Sequence, residues 1–206
     1  MNLGVDKKML LDFYNEGLAA YGEDVKALGY GGVESQESRA KVIFEIGDLS
    51  NKSILDVGCG FGDLYTFLHR QGIHPNRYLG IDISSELLDV ARKRLPEVDF
   101  ELVGILDFEA TEKFDFVVAC GLFGLKSPNW QRLLKKQLRK LYDLCEIGVV
   151  VNFLSCYTTW VKNPASHYAD PAKIFEFVLK NLSSRVVLRH DYAANDFTIY
   201  MYRGKQ

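Results

Sequence analysis

Apolar and polar positions along the chain predict an alternation of strands and helices. Short apolar runs of strand length are separated by segments in which apolar residues recur at helical spacing. The predicted strands cover residues 53–57, 78–82, 100–103, 114–119 and 147–154. Because helical segments lie between most of these strands, the pattern predicts an α/β protein whose mostly parallel sheet is covered by helices on both faces.

Local capping signals support the helices in this scheme. Ser84 is a suitable N-cap for a helix over residues 85–95. Asp170 and Pro171 read as an N-cap followed by a first-turn proline, so another helix begins there. Residues 129–146 form a longer amphipathic pattern whose basic side is typical of a solvated helix face.

The two ends of the chain depart from the alternation. Residues 185–190 and 197–202 are both strand-like, and the gap between them is too short for a crossover helix. We therefore predict an antiparallel C-terminal hairpin, which raises the sheet to seven strands. At the other end, residues 1–50 read as a helical lid or cap segment within a single domain spanning 1–206, with Tyr14 and Tyr21 as candidate lid aromatics.

Composition excludes several classes of protein. The 206 residues are 48% hydrophobic and 25% charged, as is typical of soluble globular proteins. The net charge of −2 lacks the basic excess of dedicated nucleic-acid binders, so a nucleic-acid partner is disfavoured. No apolar run reaches the roughly 18 residues that a membrane span needs, and residues 1–11 do not resemble a secretory signal.

Cysteines and histidines give two further expectations. The four cysteines include no C-x-x-C pair, which favours reduced thiols and a cytoplasmic location. The four histidines show no metal-ligand spacing, so we predict no metal site.

The most informative segment is a strand that runs directly into a glycine-rich turn. Gly58, Gly60 and Gly62 follow the strand at 53–57, and glycines at such a turn let the backbone bend sharply and a ligand approach closely. Asp82 closes the next strand, where an acidic side chain suits the hydroxyls of a ribose. Asp63 occupies the last position of the dinucleotide-binding glycine pattern, where a carboxylate would repel a diphosphate.

These residues carry a resemblance to a known family. The segment Leu55-Asp56-Val57-Gly58-Cys59-Gly60-Phe61-Gly62 resembles the first motif of the class I S-adenosylmethionine (SAM) dependent methyltransferases. Asp82 is similar to the ribose-binding acid of that family, and residues 114–120 are similar to its fourth strand, which ends beside the transferable methyl group. The resemblance implies a Rossmann-like fold, SAM as the cofactor, and methyl transfer to an acceptor that we expect to be a small molecule.

Motif and resemblance together define a set of candidate cofactor contacts. Most of these residues fall at the carboxyl ends of predicted strands, and they are Arg39, Gly58, Cys59, Gly60, Asp82, Ile83, Ile105, Leu106 and Cys120. For the adenine, two alternatives remain: Ile105 packing with the Leu106 backbone N–H, or the Asp107 carboxylate. Arg39 is assigned to the carboxylate of the cofactor, because its guanidinium fork can bind a carboxylate through two hydrogen bonds.

Catalytic residues do not follow from the sequence. Methyl transfer from a sulfonium mainly requires alignment and exclusion of water, and a general base is needed only for an acceptor that must lose a high-pKa proton. Acceptor-side candidates are the segments 120–126, 155–169 and 190–196, the last including a possible His190–Asp191 acid–base pair. Two alternatives stay open: a SAM-binding protein without transfer activity, and an NAD-dependent oxidoreductase.

Overall fold

The computed structural model describes residues 3–204, with side chains from Asp6 onwards. Its strands are β1 (Ser53–Val57), β2 (Arg77–Asp82), β3 (Asp99–Leu102), β4 (Phe114–Ala119), β5 (Cys145–Leu154), β6 (Arg185–Arg189) and β7 (Asp196–Tyr202). Its helices are α1 (Leu3–Tyr21), α2 (Val33–Phe44), α3 (Asp63–Arg70), α4 (Ser85–Arg94), α5 (Trp130–Asp143) and α6 (Pro171–Asn181), with a short 3-10 helix (Val25–Leu28) after α1.

All seven strands belong to one sheet with the order β3-β2-β1-β4-β5-β7-β6. The strands β1 to β5 pair in parallel, whereas β7 is antiparallel to both β5 and β6. The predicted fold class, a mostly parallel seven-stranded sheet with an antiparallel C-terminal hairpin, is thereby confirmed. The last strand lies inside the sheet because β7 is apolar and buried along nearly its whole length, while β6 is only partly buried and forms the edge.

Helices cover both faces of the sheet. Alternate residues of a strand point to opposite faces, and in β4 Val117 packs with the helices α5 and α6 while Phe116 and Val118 pack with α2 and α3. The basic side of α5 faces solvent as predicted, and its apolar side is buried through Leu134 and Leu138. Within residues 3–204, no helix is long and apolar enough to cross a membrane.

One predicted boundary is wrong. The helical pattern extended to residue 146, but α5 ends at Asp143 and β5 begins at Cys145. Cys145 is fully buried and pairs with Phe114 at the start of β4. Pairing within the sheet therefore overrides the helical periodicity at these last positions.

Candidate active site

A pocket opens at the carboxyl ends of β2, β1 and β4. It encloses about 1320 Å³, counting its open mouth. The floor is formed by the turn after β1 and by Asp82, and α1 contributes Leu10 and Tyr14 to the wall. Ligands of open α/β sheets bind at this edge, so the pocket lies where the fold predicts a ligand.

The glycine turn requires glycine for two separate reasons. Gly58 and Gly60 have φ angles of +74° and +54°, which side chains other than hydrogen disfavour. A Cβ atom on Gly58 would lie 3.2 Å from Leu122, and one on Gly60 would lie 3.3 Å from Leu28. Gly62 does not line the pocket, and a Cβ there would lie 2.7 Å from Leu95, so this third glycine serves the packing behind the turn.

Backbone hydrogen bonds fasten the glycine turn to the end of β2. The N–H groups of Gly58 and Cys59 donate to the Ile81 carbonyl at 2.8 and 3.2 Å. The N–H of Gly60 donates to Asp82 Oδ2 at 3.0 Å. These three donors are already engaged within the protein, so they are not free to bind a ligand carboxylate.

Asp82 is held in a single orientation at the pocket floor. Its Oδ2 accepts from Gly60, and its Oδ1 accepts from the Ser84 N–H at 3.0 Å. Burial raises the pKa of this carboxyl, and the backbone hydrogen bonds from Ser84 and Gly60 oppose that rise. Each carboxylate oxygen can accept a second hydrogen bond, so Asp82 retains capacity for a ligand.

Asp56 is a pocket residue that sequence reasoning missed. It is buried in β1 and accepts a hydrogen bond of 2.6 Å from the Tyr78 hydroxyl. Burial, reinforced by the charges of Asp82 and Asp63, raises its pKa to about 7 even though the Tyr78 bond opposes the shift. Asp56 is part of the glycine motif, but β1 is buried on both faces. In such a strand apolar and polar residues do not alternate, so the sequence does not show which side chains reach a ligand.

The charged residues that line the pocket are all acidic in the described part of the chain. Three carboxylates, Asp56, Asp63 and Asp82, contribute to its lining. Among the described residues that line it, none is a lysine, arginine or histidine. Asp63 is partly compensated by the Gln36 amide at 2.7 Å and by Arg94 at 3.4 Å. The site therefore favours a cationic ligand and disfavours a diphosphate.

The predicted adenine contacts are only partly brought together. Ile83 and Ile105 both line the pocket. The side chain of Leu106 packs towards the main core and does not line the pocket, and the expected contact of its backbone N–H stays a prediction. Asp107 is also absent from the lining, although its Oδ2 lies 3.8 Å from where a Cβ on Gly104 would be.

Cys120 lies at the end of β4, where the resemblance placed the reacting end of the cofactor. Its Sγ is 3.6 Å from the hydroxyl of Tyr30, which comes from the loop before α2. Burial raises the pKa of the Cys120 thiol to about 11. Cys120 is therefore a neutral thiol in the pocket lining at physiological pH, whereas the nucleophilic form of cysteine is the thiolate. Tyr30 is a second lining residue that the candidate set lacked.

The assignment of Arg39 to the cofactor requires correction. Its Nε and Nη2 atoms donate to Asp196 of β7 at 2.9 and 3.1 Å, and Arg39 is absent from the lining of the large pocket. The guanidinium also lies 4.9 Å from the centre of the Tyr30 ring. The Arg39 guanidinium therefore binds a carboxylate of the protein itself. The packing of α2 on the sheet brings Arg39 and Asp196 together.

The N-terminal helix α1 contributes side chains to the wall of the pocket. Leu10 and Tyr14 of α1 line it, whereas Tyr21 is exposed. The helix is fastened to the start of α5 by Asp6, whose Oδ2 accepts from the Asn129 amide at 2.8 Å.

The candidate residues of the acceptor-side segments differ in their burial and in their partners. His167 stacks on Trp130 with ring centres 3.5 Å apart, while Tyr157 and Trp160 are exposed. The suggested His190–Asp191 pair does not form: His190 Nε2 lies 2.9 Å from Ser155 Oγ, and Asp191 pairs with Arg189.

Comparisons with known proteins agree with this geometry. A family model described as a methyltransferase domain matches residues 54–143. A protein of Mycobacterium tuberculosis whose name assigns it to the methyltransferases is 32% identical over 160 residues, which cover 74% of this chain and 93% of that protein. The demethylmenaquinone methyltransferase of Lactococcus lactis is 34% identical, but the match spans only 43% of its length.

Solved structures share the fold over nearly the whole chain. Magnesium protoporphyrin IX methyltransferase from Synechocystis with bound SAM superposes with a TM-score of 0.69 over 97% of both chains at 17% identity. An N-methyltransferase of Bradyrhizobium japonicum in complex with S-adenosyl-L-homocysteine (SAH) gives 0.68 over 95% of this chain at 15% identity. The chain belongs to the class I SAM-dependent methyltransferases. It is thus an enzyme of methyl transfer that uses SAM as its cofactor.

Proposed function

We propose that SAM binds in the large pocket and that the methyl acceptor is a small molecule. The observation that carries this proposal is the charge of the lining, with three carboxylates and no cation among its described residues. SAM carries a sulfonium and an ammonium group and no phosphate, so the residues present fit it better than they fit NAD.

Individual residues take roles from their positions in the pocket. Asp82 would accept hydrogen bonds from the ribose hydroxyls, and Ile83 and Ile105 would pack against the adenine. The backbone of Gly58, Cys59 and Gly60 would lie against the cofactor because no Cβ at either glycine occupies that space. Cys120 would face its reacting end.

When bound, SAM supplies a methyl group that is already activated by the positive charge on sulfur. The protein then has to orient the reactants and exclude water, and orientation alone can contribute about 7–11 kcal/mol to lowering the barrier. Tyr14 and Tyr30 cover the pocket from the N-terminal segment, where aromatic faces attract a cation. We propose that residues 1–50 act as this cap within a single domain of residues 1–206.

The nature of the acceptor rests on the relatives. Several are named for small molecules, among them demethylmenaquinone, magnesium protoporphyrin and a dTDP-linked amino sugar. We propose an acceptor of this general size for this chain. A cytoplasmic location is part of the same proposal, supported by four cysteines that are all free thiols.

Calorimetric titration of the purified protein with SAM, SAH and NAD tests the proposal. We expect SAM and SAH to bind and NAD to give no heat of binding. Binding of NAD in place of SAM would overturn it. Incubation with methyl-labelled SAM and a panel of small molecules then separates a transferase from a protein that only binds SAM, since only the former releases SAH with a labelled product.

A further inference from the structure

The connection between β5 and α6 presents three large apolar side chains to solvent. Val161 is fully exposed, and Tyr157 and Trp160 are 64% and 61% exposed. They are the three most exposed large hydrophobic residues in the described part of the chain, and they fall within five consecutive positions. Exposed apolar residues that are scattered singly are ordinary, whereas a contiguous group marks an interaction surface. We call residues 156–165 the apolar loop.

Hydrogen bonds within the protein fix the shape of the apolar loop. The Trp160 N–H donates to Thr158 Oγ1 at 3.1 Å, and the Thr158 N–H donates to the Ser155 carbonyl at 3.2 Å. The Lys162 Nζ donates to the Cys156 carbonyl at 3.0 Å across the base of the loop. Because these backbone groups already have partners, they can leave water at a lower cost than unpaired groups could.

The charge carried by the apolar loop and its neighbouring segment is positive. Residues 147–169 contain Lys162 and no acidic residue, and residues 116–142 contain six lysines and arginines and no acidic residue. Lys126 of the second segment binds carbonyls of the apolar loop through its N–H and its Nζ, at 2.9 and 2.8 Å. Asp170, the next acid along the chain, is engaged as the N-cap of α6. Two lysines therefore accompany the exposed apolar side chains.

The apolar loop lies beside the proposed cofactor pocket. Directly after the loop, Ser166 forms an isolated antiparallel bridge with Leu125, and the His167 N–H donates to the Gly124 carbonyl at 2.9 Å. Leu125 itself lines the pocket. A surface that holds the apolar loop would therefore lie close to this pocket.

We propose that the apolar loop docks the protein on the surface of an anionic lipid bilayer. Tryptophan and tyrosine are the side chains that favour the membrane–water interface, because their rings are apolar at one end and polar at the other. Val161 would enter the boundary between headgroups and acyl chains, while Lys162 and Lys126 would meet anionic headgroups. Docking of this kind buries only loop side chains and requires no membrane-spanning helix.

The two lysines favour a lipid surface over a second copy of the chain. A symmetric contact between two apolar loops would bring Lys126 and Lys162 of one copy towards the same residues of the other. Like charges repel at such a contact, whereas an anionic bilayer attracts all of them. Charge complementarity therefore selects the lipid surface as the occupant.

Flotation of the full-length protein with extruded vesicles tests the proposal. The vesicles contain phosphatidylcholine mixed equally with phosphatidylglycerol, or phosphatidylcholine alone, in about 0.15 M salt. We expect the protein to float with the mixed vesicles and to bind the neutral ones at least about tenfold more weakly, because only anionic headgroups attract the lysines. Failure to float with the mixed vesicles would overturn the proposal, and equal binding to both would overturn the role of the lysines.

Val161→Asp tests whether the apolar loop is the surface that binds. We expect it to bind mixed vesicles at least about tenfold more weakly, because a charge replaces the apolar side chain that enters the bilayer. Val187→Asp is the matched control, since Val187 lies on the edge strand β6 and is 42% exposed. Circular dichroism checks that both variants are folded. If Val161→Asp and Val187→Asp floated equally well, another surface would bind the lipid and the proposal would be wrong.

Tryptophan fluorescence tests insertion of the loop without a destabilising change. The chain has two tryptophans: Trp160 is exposed, whereas Trp130 stacks on His167. Mixed vesicles should shift the wild-type emission to shorter wavelengths, and brominated acyl chains should quench it. Trp160→Phe should still float, because it keeps an aromatic ring, but it should lose both responses. Flotation of the wild type without either response would contradict insertion of the apolar loop.

Sedimentation without lipid separates the lipid surface from a second copy of the chain. We expect Val161→Asp to have the same oligomeric state as the wild type. A wild-type oligomer that Val161→Asp dissociates would identify a second copy as the occupant and overturn the lipid assignment. These experiments use no cofactor, so their failure leaves the proposed binding of SAM unaffected, and failure of SAM to bind in calorimetry leaves this inference unaffected.

Discussion

Replacing Arg39 by alanine removes the counter-ion of a carboxylate that is only 1% exposed. Asp196 lies at the start of β7 and receives two hydrogen bonds from the Arg39 guanidinium. Both side chains are buried, so solvent cannot take over the role of the missing partner. The same substitution also removes the contact between the guanidinium and the Tyr30 ring.

The expected cost is large because one charge of a buried pair is left uncompensated. Breaking such a pair by removing one partner typically costs about 3–5 kcal/mol, and domains of this kind have about 5–15 kcal/mol of stability in total. We therefore expect Arg39→Ala to lose about 3–5 kcal/mol of unfolding free energy. Asp196→Ala should be similarly destabilised, and the double variant should lose less than the sum of the two.

Urea unfolding followed by circular dichroism at neutral pH measures these differences. Arg70→Ala is the matched control, because Arg70 pairs with Glu37 of α2 at 2.8 Å but more than half of its side chain is exposed. Exposed pairs contribute about 0–1 kcal/mol, so this variant should stay close to the wild type. If Arg39→Ala were no more destabilised than Arg70→Ala, the interpretation of Arg39 as half of a buried ion pair would be refuted.

Three further predictions concern the cofactor pocket. Gly58→Val and Gly60→Val should lose SAM binding in calorimetry before their melting temperatures collapse, and normal binding by either would place the cofactor elsewhere. The pKa of Asp56 in the folded protein is about 7, above the usual value of about 3.9, so this residue should make the protein less stable as pH rises from about 4 to 7. Urea unfolding should show the unfolding free energy falling over this pH range in the wild type and falling less steeply in Asp56→Asn. Equal pH dependence in the two proteins would contradict this prediction. Folded Arg39→Lys should keep the wild-type preference for SAM over a decarboxylated analogue, and loss of that preference would restore Arg39 as the carboxylate ligand.

The parts of the site that could be predicted are those encoded by neighbouring residues. The strand, glycine turn and helix around Gly58 form one continuous segment, and Asp82 closes the very next strand, so spacing alone identified them. The same holds for the Ser84 cap, which accepts from the Leu87 N–H as its sequence position implied.

Features that depend on distant packing could not be predicted. Arg39 and Asp196 are 157 positions apart, and nothing in the sequence indicates that α2 would bring them together. Asn152 lies in an apolar strand, where a single polar residue does not show whether it serves packing, a partner or a ligand. Leu106 was assigned through its backbone N–H, and that contact stays a prediction; its side chain packs towards the main core, while Ile105 lines the pocket.

The most direct test of the proposed site is the SAM affinity of Asp82→Ala measured by calorimetry. Charge-assisted hydrogen bonds are worth about 1.5–3 kcal/mol each, so loss of the ribose contacts should weaken SAM by at least about tenfold in a protein that remains folded. Asp89→Ala on the exposed side of α4 removes a carboxylate outside the pocket and should bind SAM as the wild type does. Unchanged SAM affinity in folded Asp82→Ala would contradict the placement of the cofactor over the glycine turn and Asp82.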